Sequence, residues 1–324
     1  MPKIYIAQRI PEIGIKMLQD KGYEVDLNPD EHKILSKEEL LSVLKANSYD
    51  AVLSLLTNKI DSEVFDTSPT TKIFANYAVG YNNIDVVEAN KRGITVTNTP
   101  GALTDAVAEH TVALLLSVTL RVTESDKYLR EGKFKGWEPL GFFGLDLKGK
   151  TVGILGAGRI GFRVAEILKK GFEMNIAYYD VKKSEFFDND LGAEFYESPE
   201  ELMKNSDVVS VHVPLLDSTK HLINTERLQL MKPTAFLLNT SRGPVVDEAA
   251  LVKALQNKII AGAGLDVFEN EPSLAIGLAE LPNVVITPHI ASATKPAREG
   301  MAVLAAQNII DFLDGKIPQN KIVA

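Results

Sequence analysis

Short, nearly unbroken apolar runs alternate with amphipathic stretches from residue 3 to residue 289, and this alternation confines the chain to one broad class of fold. KIYIA (3–7) reads as a strand. Residues 11–21 read as a helix with Ile13, Met17 and Leu18 facing inward and Gly22 as its stop. YEVDL follows as a strand, and Ser36 with Glu39 three residues on forms a capping box for a helix through Leu44. DAVLSLL, KIFANYAV and ITVTN repeat the strand theme. Residues 103–132 read as one long helical stretch, followed by a Gly- and aromatic-rich segment, 136–144. A second strand series then begins at Thr151: TVGILGAG, NIAYYD, DVVSVHV, AFLLNTS, IIAGAGLDV and NVVITPH. Runs this continuously apolar belong to strands buried on both faces. Strands alternating with helices at this spacing predict parallel sheets with crossover helices, and 324 residues suffice for two such domains. The expected fold class is therefore α/β, with two doubly wound parallel-sheet domains. A final helix over 294–313 has no strand after it and is expected to pack back on the first domain.

Composition removes several classes of function. Cysteine is absent, which excludes disulfides, thiolate nucleophiles and Cys-ligated zinc and suits a reducing compartment. With 35 basic against 43 acidic residues the net charge is −8, so neither nucleic acid nor an anionic membrane surface is an expected partner. The first eight residues are too short in apolar content for a signal peptide, and the apolar run 111–120 ends at Arg121, too short to span a bilayer. A cytoplasmic location is expected.

GAGRIG (156–161) follows the apolar run TVGIL and opens a helical pattern through Lys169. G-x-G-x-x-G alone is a weak signal; strand before and helix after are the context that strengthens it. Gly156 permits a tight turn, Gly158 lets backbone approach a pyrophosphate, and Gly161 lets helix and strand pack closely. The helix N-terminus adds unpaired N–H groups and positive dipole. NIAYYD ends at Asp180, nineteen residues past Gly161, where a carboxylate accepts hydrogen bonds from a ribose diol and repels a 2′-phosphate. These features predict a Rossmann-like domain that binds NAD. Lys182 and Lys183 soften the discrimination, so NADP is expected as a weaker second cofactor. A competing match, GLDLKGKT (144–151), satisfies the P-loop pattern but has its strand after it and none before it. That inverted context marks a chance match.

Of five histidines, His32 lies in a polar stretch, His110 inside the long helix, His212 near a strand end and His221 in the loop beyond it. For His110, His212 and His221 structural roles are expected. His289 differs, ending the run VVITPH at the carboxyl edge where open α/β sheets bind ligands. Arg242 ends AFLLNTS and Glu271 follows LDVFEN, so three strand ends deliver an arginine, a carboxylate and an imidazole to one edge. That set suits hydride transfer to a 2-oxo acid. An arginine fork grips a carboxylate, an imidazolium protonates a developing alkoxide, and a carboxylate on the other ring nitrogen holds the tautomer.

Several longer stretches carry a resemblance: YAVGYNNID (77–85), NTPGALTDAVAEH (98–110), LGAGRIG, HVPL (212–215), NTSRGPVVDE (239–248), AGAGLDVFENEP (261–272) and TPHIASAT (287–294). Over essentially its whole length the sequence resembles the D-isomer-specific 2-hydroxyacid dehydrogenases. The resemblance implies Arg242, Glu271 and His289 as the catalytic trio. It places Thr104, Arg159, Ile160, Val213, Pro214, Thr219, Thr240, Ser241 and Asp266, with the Gly-rich loop and Asp180, along the cofactor. It assigns Leu53, the backbone N–H groups around Val79 and Gly80, and Trp137 to the substrate, besides Arg242 and His289. It implies domains of residues 1–99 with 290–324 (substrate-binding) and 100–289 (NAD-binding). It also implies a homodimer built on an arm, 103–144, with Trp137 reaching the neighbouring subunit. Within the family, YAVGYNNID and the WEP at Trp137 look most like glyoxylate/hydroxypyruvate reductases. Formate dehydrogenases carry Gln where Glu271 stands. The loop LSLLT (53–57) offers no cation for a phosphorylated substrate, as phosphoglycerate dehydrogenase would need. The expected activity is NAD(H)-linked interconversion of a small 2-oxo acid (glyoxylate, hydroxypyruvate or pyruvate) and its D-2-hydroxy acid. The rival readings are an NAD-sensing, corepressor-like binding protein on the same fold and a phosphoglycerate dehydrogenase.

Overall fold

The computed structural model describes residues 1–30 and 32–323, which divide into two compact units, Met1–Leu103 with Ala293–Ala324 and Thr104–Ser292. In the first unit β1 (Lys3–Ile6), α1 (Glu12–Asp20), β2 (Glu24–Leu27), α2 (Lys37–Ala46), β3 (Ala51–Leu55), α3 (Ser62–Thr67), β4 (Ile73–Tyr77), α4 (Val86–Lys91) and β5 (Thr95–Thr97) alternate along the chain. Every strand pairing is parallel, in the order β2-β1-β3-β4-β5. The Ser36–Glu39 capping box forms as the sequence predicts, each side chain closing on the other residue's backbone N–H.

The orientation of α1 departs from the sequence reading. Gly14, Ile15 and Leu18 face the core, while Ile13 is 44% exposed. The reason is the last helix of the chain, which rests against Gly14. A Cβ at Gly14 would stand 2.8 Å from the Ala302 carbonyl oxygen and 2.9 Å from its Cβ, so a glycine is what lets the two helices touch.

The second unit runs α5 (Thr104–Thr119), α6 (Val122–Arg130), β6 (Thr151–Leu155), α7 (Arg159–Phe172), β7 (Asn175–Tyr179), α8 (Glu185–Leu191), β8 (Glu194–Phe195), α9 (Pro199–Asn205), β9 (Val208–Val211), α10 (Thr225–Leu230), β10 (Phe236–Asn239), α11 (Glu248–Gln256), β11 (Gly262–Leu265) and β12 (Val284–Ile286). Its seven parallel strands follow the order β12-β11-β10-β9-β6-β7-β8. Counted from β6, that is the doubly wound dinucleotide-binding order with one strand added at the far edge, and the order reverses between β6 and β9. Helix α5 is mostly buried, with apolar residues packed around β6, β10 and β12.

The long helix expected over 103–132 is broken. Arg121 takes a left-handed conformation (φ 56°), and α6 leaves α5 at 61°. The guanidinium of Arg121 forks onto Glu124 at 2.8 and 2.7 Å and lies over the Phe142 ring, which gives the strained residue its compensating contacts. Among the described residues no single helix is long and apolar enough to cross a membrane.

The final helix, α12 (Lys295–Leu313), starts on a Thr294 cap and packs against α1 and β4 of the first unit. Tyr77 donates its hydroxyl to the Arg298 carbonyl (2.7 Å), and Asn308 donates to the Asn98 carbonyl (3.1 Å). Gly14→Val is therefore expected to cost about 1–3 kcal/mol, since backbone on the opposing helix cannot yield as a flexible side chain does. Chemical denaturation monitored by circular dichroism checks this, and unchanged stability would deny the close crossing.

Candidate active site

The Gly-rich turn sits at the point where the second sheet reverses. Gly156 has φ 103°, and a Cβ there would lie 2.7 Å from the His212 carbonyl carbon and the Val213 nitrogen, just beyond β9. Gly161 is equally constrained, 2.4 Å from the Gly156 carbonyl oxygen by the same measure. Above Gly158, by contrast, a Cβ would meet nothing within 4 Å. The turn is thus tight underneath and open on top, and α7 begins there with Arg159 and Ile160 in its first turn and no side-chain cap on its N–H groups. A pyrophosphate needs that combination of open backbone and unpaired amides, so these residues fit the diphosphate of a dinucleotide.

Asp180 follows β7 and accepts from Ala157 N and Val181 N, both at 2.7 Å, tying the strand end to the Gly-rich turn. Lys183 extends over the Phe195 ring, its Nζ 5.1 Å from the centroid. Val213 is buried and Pro214 exposed. The Thr219 hydroxyl accepts from Leu216 N (2.8 Å) and donates to Pro214 O (2.6 Å), closing the loop after β9. The His212 ring is neutral, its pKa pushed down to about 3 by burial. Thr240 meets the Thr111 hydroxyl of α5 at 2.8 Å, and Thr104 opens the same helix.

The three strand-end residues are organised by groups that sequence reasoning missed. Beyond β10 the Asn239 side chain accepts from Ser241 N and Ser241 Oγ (3.0 Å each) and donates to the Arg242 carbonyl (3.0 Å), so one amide shapes the turn that presents Arg242. An Asn at a strand end with Ser two residues on is the sequence signal of such a turn. Arg242 is half-buried. Burial weakens its hold on the proton and the charge of Glu271 opposes that effect. The Glu271 carboxylate accepts from Phe268 N through Oε1 (3.0 Å) and pairs through Oε2 with His289 Nδ1 (2.9 Å). Burial works against the charge on Glu271, but the hydrogen bond and charge of His289, the Phe268 N–H and Arg242 outweigh it and hold the carboxyl below its usual range. That pair leaves Nε2 of His289 as the ring nitrogen with which to meet a substrate.

His289 itself sits at φ 52° and donates its N–H to the Asp266 carbonyl at 2.9 Å. Asp266, expected along the cofactor, is wholly buried, a burial that no feature of the sequence discloses. Its carboxylate accepts from Thr287 Oγ1 (2.6 Å), Ile290 N and Ala291 N (2.8 Å each), and His110 Nε2 lies 3.5 Å away while contacting Thr287 Oγ1 at 3.0 Å. Burial raises its proton affinity, but these donors overcome that and depress the pKa. In the first unit Leu53 is wholly buried in β3, so its side chain offers no surface to a ligand. Val79 and Gly80 are half-buried in the loop after β4. Trp137 is 85% exposed. A cavity of about 720 Å³ lined by Phe236, Ile260 and Val285 lies at the opposite, amino edge of the second sheet and holds none of these residues. Among the described residues no three His, Asp or Glu side chains are placed to hold a metal ion.

Residues 112–291 match the NAD-binding domain of D-isomer specific 2-hydroxyacid dehydrogenases. The chain belongs to that family. It is 51% identical to a glyoxylate reductase of Thermococcus litoralis over 325 residues, spanning 99% of this chain and 96% of that one. It is 50% identical to a Pyrococcus furiosus glyoxylate reductase, spanning 98% and 94%. Among solved structures, a Thermus thermophilus protein superposes with a TM-score of 0.91 at 41% identity, covering 99% of this chain and 100% of that chain. The NADPH-dependent glyoxylate/hydroxypyruvate reductase of Sinorhizobium meliloti, solved with NADP and malonate, gives 0.86 at 33% identity, covering 99% and 97%. Membership brings with it an NAD-binding second unit and oxidoreductase chemistry on 2-hydroxy acids.

The burial of Asp266 generates a test. A carboxyl whose folded pKa is depressed adds stability above its unfolded pKa and loses it as pH falls through the folded value. Asp266→Asn must turn an NH2 group toward one set of donors, at a cost of about 3 kcal/mol. Its thermal midpoint is expected to fall at neutral pH and to decline less steeply than wild type below about pH 4. Parallel acid slopes for the two proteins would show that the carboxylate is not held by its donors.

Proposed function

We propose that the protein reduces small 2-oxo acids with NADH as the preferred cofactor, glyoxylate (to glycolate) foremost, and larger ones to their D-2-hydroxy acids. The observation that carries this reading is the 2.9 Å contact between Glu271 Oε2 and His289 Nδ1, at the same sheet edge as Arg242 and the Gly-rich turn. Full-length relatives at about half identity that are glyoxylate reductases support the choice of substrate. When bound, NADH supplies the hydride.

Each side chain then has one task. Arg242 clamps the substrate carboxylate, its planar fork fixing the adjacent 2-oxo group against rotation. Nε2 of His289 delivers a proton to the carbonyl oxygen as that oxygen gains the electron pair displaced from the C=O bond. Glu271, on Nδ1, fixes the ring's tautomer and balances its charge. The balance is one oxo acid, one hydride and one proton to one hydroxy acid. In the first unit the Val79 carbonyl accepts from Asn98 Nδ2 (2.7 Å) and the Gly80 carbonyl from Asn76 Nδ2 (3.0 Å). The N–H groups on the far side of those peptides are the proposed second grip on the substrate carboxylate.

NADH preference rests on Asp180, whose charge repels a 2′-phosphate; Lys183 is drawn to Phe195, leaving Lys182 as the weaker counter-influence. Oxidation of NADH and of NADPH against glyoxylate, hydroxypyruvate and pyruvate tests the whole reading. Glyoxylate with NADH is expected to be the best pair. Asp180→Ser is expected to narrow the cofactor gap by about 1–3 kcal/mol. Arg242→Ala is expected to lower kcat/KM about 10²–10³-fold with NADH affinity little changed. Near-normal turnover by Arg242→Ala removes it from the site.

The segment after α6 exposes Phe134, Trp137, Leu140 and Phe143 within ten residues, a density of bare apolar side chains that calls for a partner surface. We infer a homodimer, with this arm lying on the second copy. Light scattering at assay concentration is expected to give twice the chain mass, falling toward one on Trp137→Ser with Leu140→Ser, and a monomeric wild type would refute it.

A further inference from the structure

The segment that carries Glu271 has no helix or strand of its own to hold it. Residues 268–275 form an irregular loop, with a single local bridge between Asn270 and Ser273. A loop of this kind places an acid–base partner within a few tenths of an ångström only when something rigid grips it. The grip comes from Glu248, the first residue of α11, which is 3% exposed and so almost wholly withdrawn from water. One of its carboxyl oxygens, Oε1, accepts from Glu269 N, and Oε2 accepts from Ala275 N at 3.2 Å. A single side chain therefore fastens the loop just before Glu271 and again four residues after it.

The contact is returned. Glu269 Oε2 accepts from Glu248 N (3.3 Å), and Glu269 Oε1 pairs with His221 Nε2 (2.6 Å), which links the loop to the segment after β9. On its other side the loop backbone lies against Gly243. A Cβ there would fall 1.8 Å from the Phe268 carbonyl oxygen, so Arg242 and Glu271 are borne by backbones in direct contact. Glu248, Glu269 and Glu271 are like charges close enough to feel one another. Burial first, and those two neighbours second, raise the proton affinity of Glu248 against its two backbone donors. A carboxyl kept in so unfavourable a place, with both oxygens spent on one loop, is costly unless the loop's position matters.

We propose that Glu248 is the positioning residue of the acid–base pair, its buried carboxyl stapling both ends of the 269–275 segment so that Glu271 meets His289 Nδ1. This rests on the reading of Glu271 and His289 as the proton-delivering pair. The mechanism predicts a pattern that general destabilisation does not. With the staple loosened, Glu271 stands off the ring and no longer holds its tautomer and orientation, so proton delivery slows while the substrate and cofactor contacts made elsewhere are kept.

The experiment measures kcat and KM for glyoxylate reduction across pH in wild type, Glu248→Gln and Glu271→Gln, with NADH binding followed by fluorescence and folding by circular dichroism. Glutamine keeps the size and one acceptor but cannot serve both N–H groups as a carboxylate does. For Glu248→Gln the expectation is a fall in kcat of about 10-fold, with KM for the oxo acid and the NADH Kd within about 3-fold of wild type. The limb of its pH–rate profile is expected to change in the same way as that of Glu271→Gln. Glu248→Asp, which keeps the charge but not the span, gives the same shift and serves if the glutamine variant does not fold. A folded Glu248 variant whose limb stays at the wild-type pH while Glu271→Gln moves overturns the positioning role and leaves the pair intact. If neither limb moves, the pair itself is wrong and the staple falls with it.

Discussion

The buried carboxylate of Asp266 is the constraint on which the second unit's working edge depends. It stands just past β11 with no exposure, and its two oxygens gather Thr287, Ile290 and Ala291 from the turn after β12, with His110 of α5 beside them. A charge in that position is tolerable only while its donors stay in place. Those hydrogen bonds fix the turn that carries His289 at its positive φ, a conformation uncommon outside glycine. Geometry at the ring is thus imposed from below, through main chain, while Glu271 acts on it from the side. Two carboxylates a few residues apart in sequence are held differently: one is sealed beneath the turn after β12, the other partly open to the site.

The same logic recurs at a lower level around Arg242 and Glu271. Neither is placed by its own secondary structure. Asn239 folds the turn for one, Glu248 fastens the loop for the other, and Gly243 lets the two backbones touch. Polar side chains that never meet a ligand are spent on the main chain of those that do, which is how a parallel sheet converts loop ends into a defined arrangement.

Much of this was legible in the residues, and the boundary has a physical cause. Parallel strands buried on both faces leave long apolar runs, so both sheets, and the lone terminal helix that pairs with the first, could be read directly. Arg242, Glu271 and His289 stand out because each follows such a run. Local periodicity cannot report long-range contact, however. The pattern of α1 admits Ile13 on its inner face, but the approach of Ala302 to Gly14 turns the helix otherwise. The break at Arg121 has no glycine or proline to announce it, and is held by a side chain folded over Phe142. His110 reaches Thr287 across 177 positions, and Glu248 reads as an ordinary first-turn acid of a helix. Such partners become visible only when the chain is folded.

The docking of α12 on α1 has a consequence for the order in which the molecule is made. The second unit is one uninterrupted stretch, Thr104–Ser292, whereas the first is assembled from both ends of the chain. During synthesis every residue of the second unit is available before α12 exists. Until then the face of α1 around Gly14 and the Tyr77 hydroxyl have nothing to rest on. The N-terminal hundred residues, though translated first, therefore cannot close their core until the segment that supplies α12 has been made.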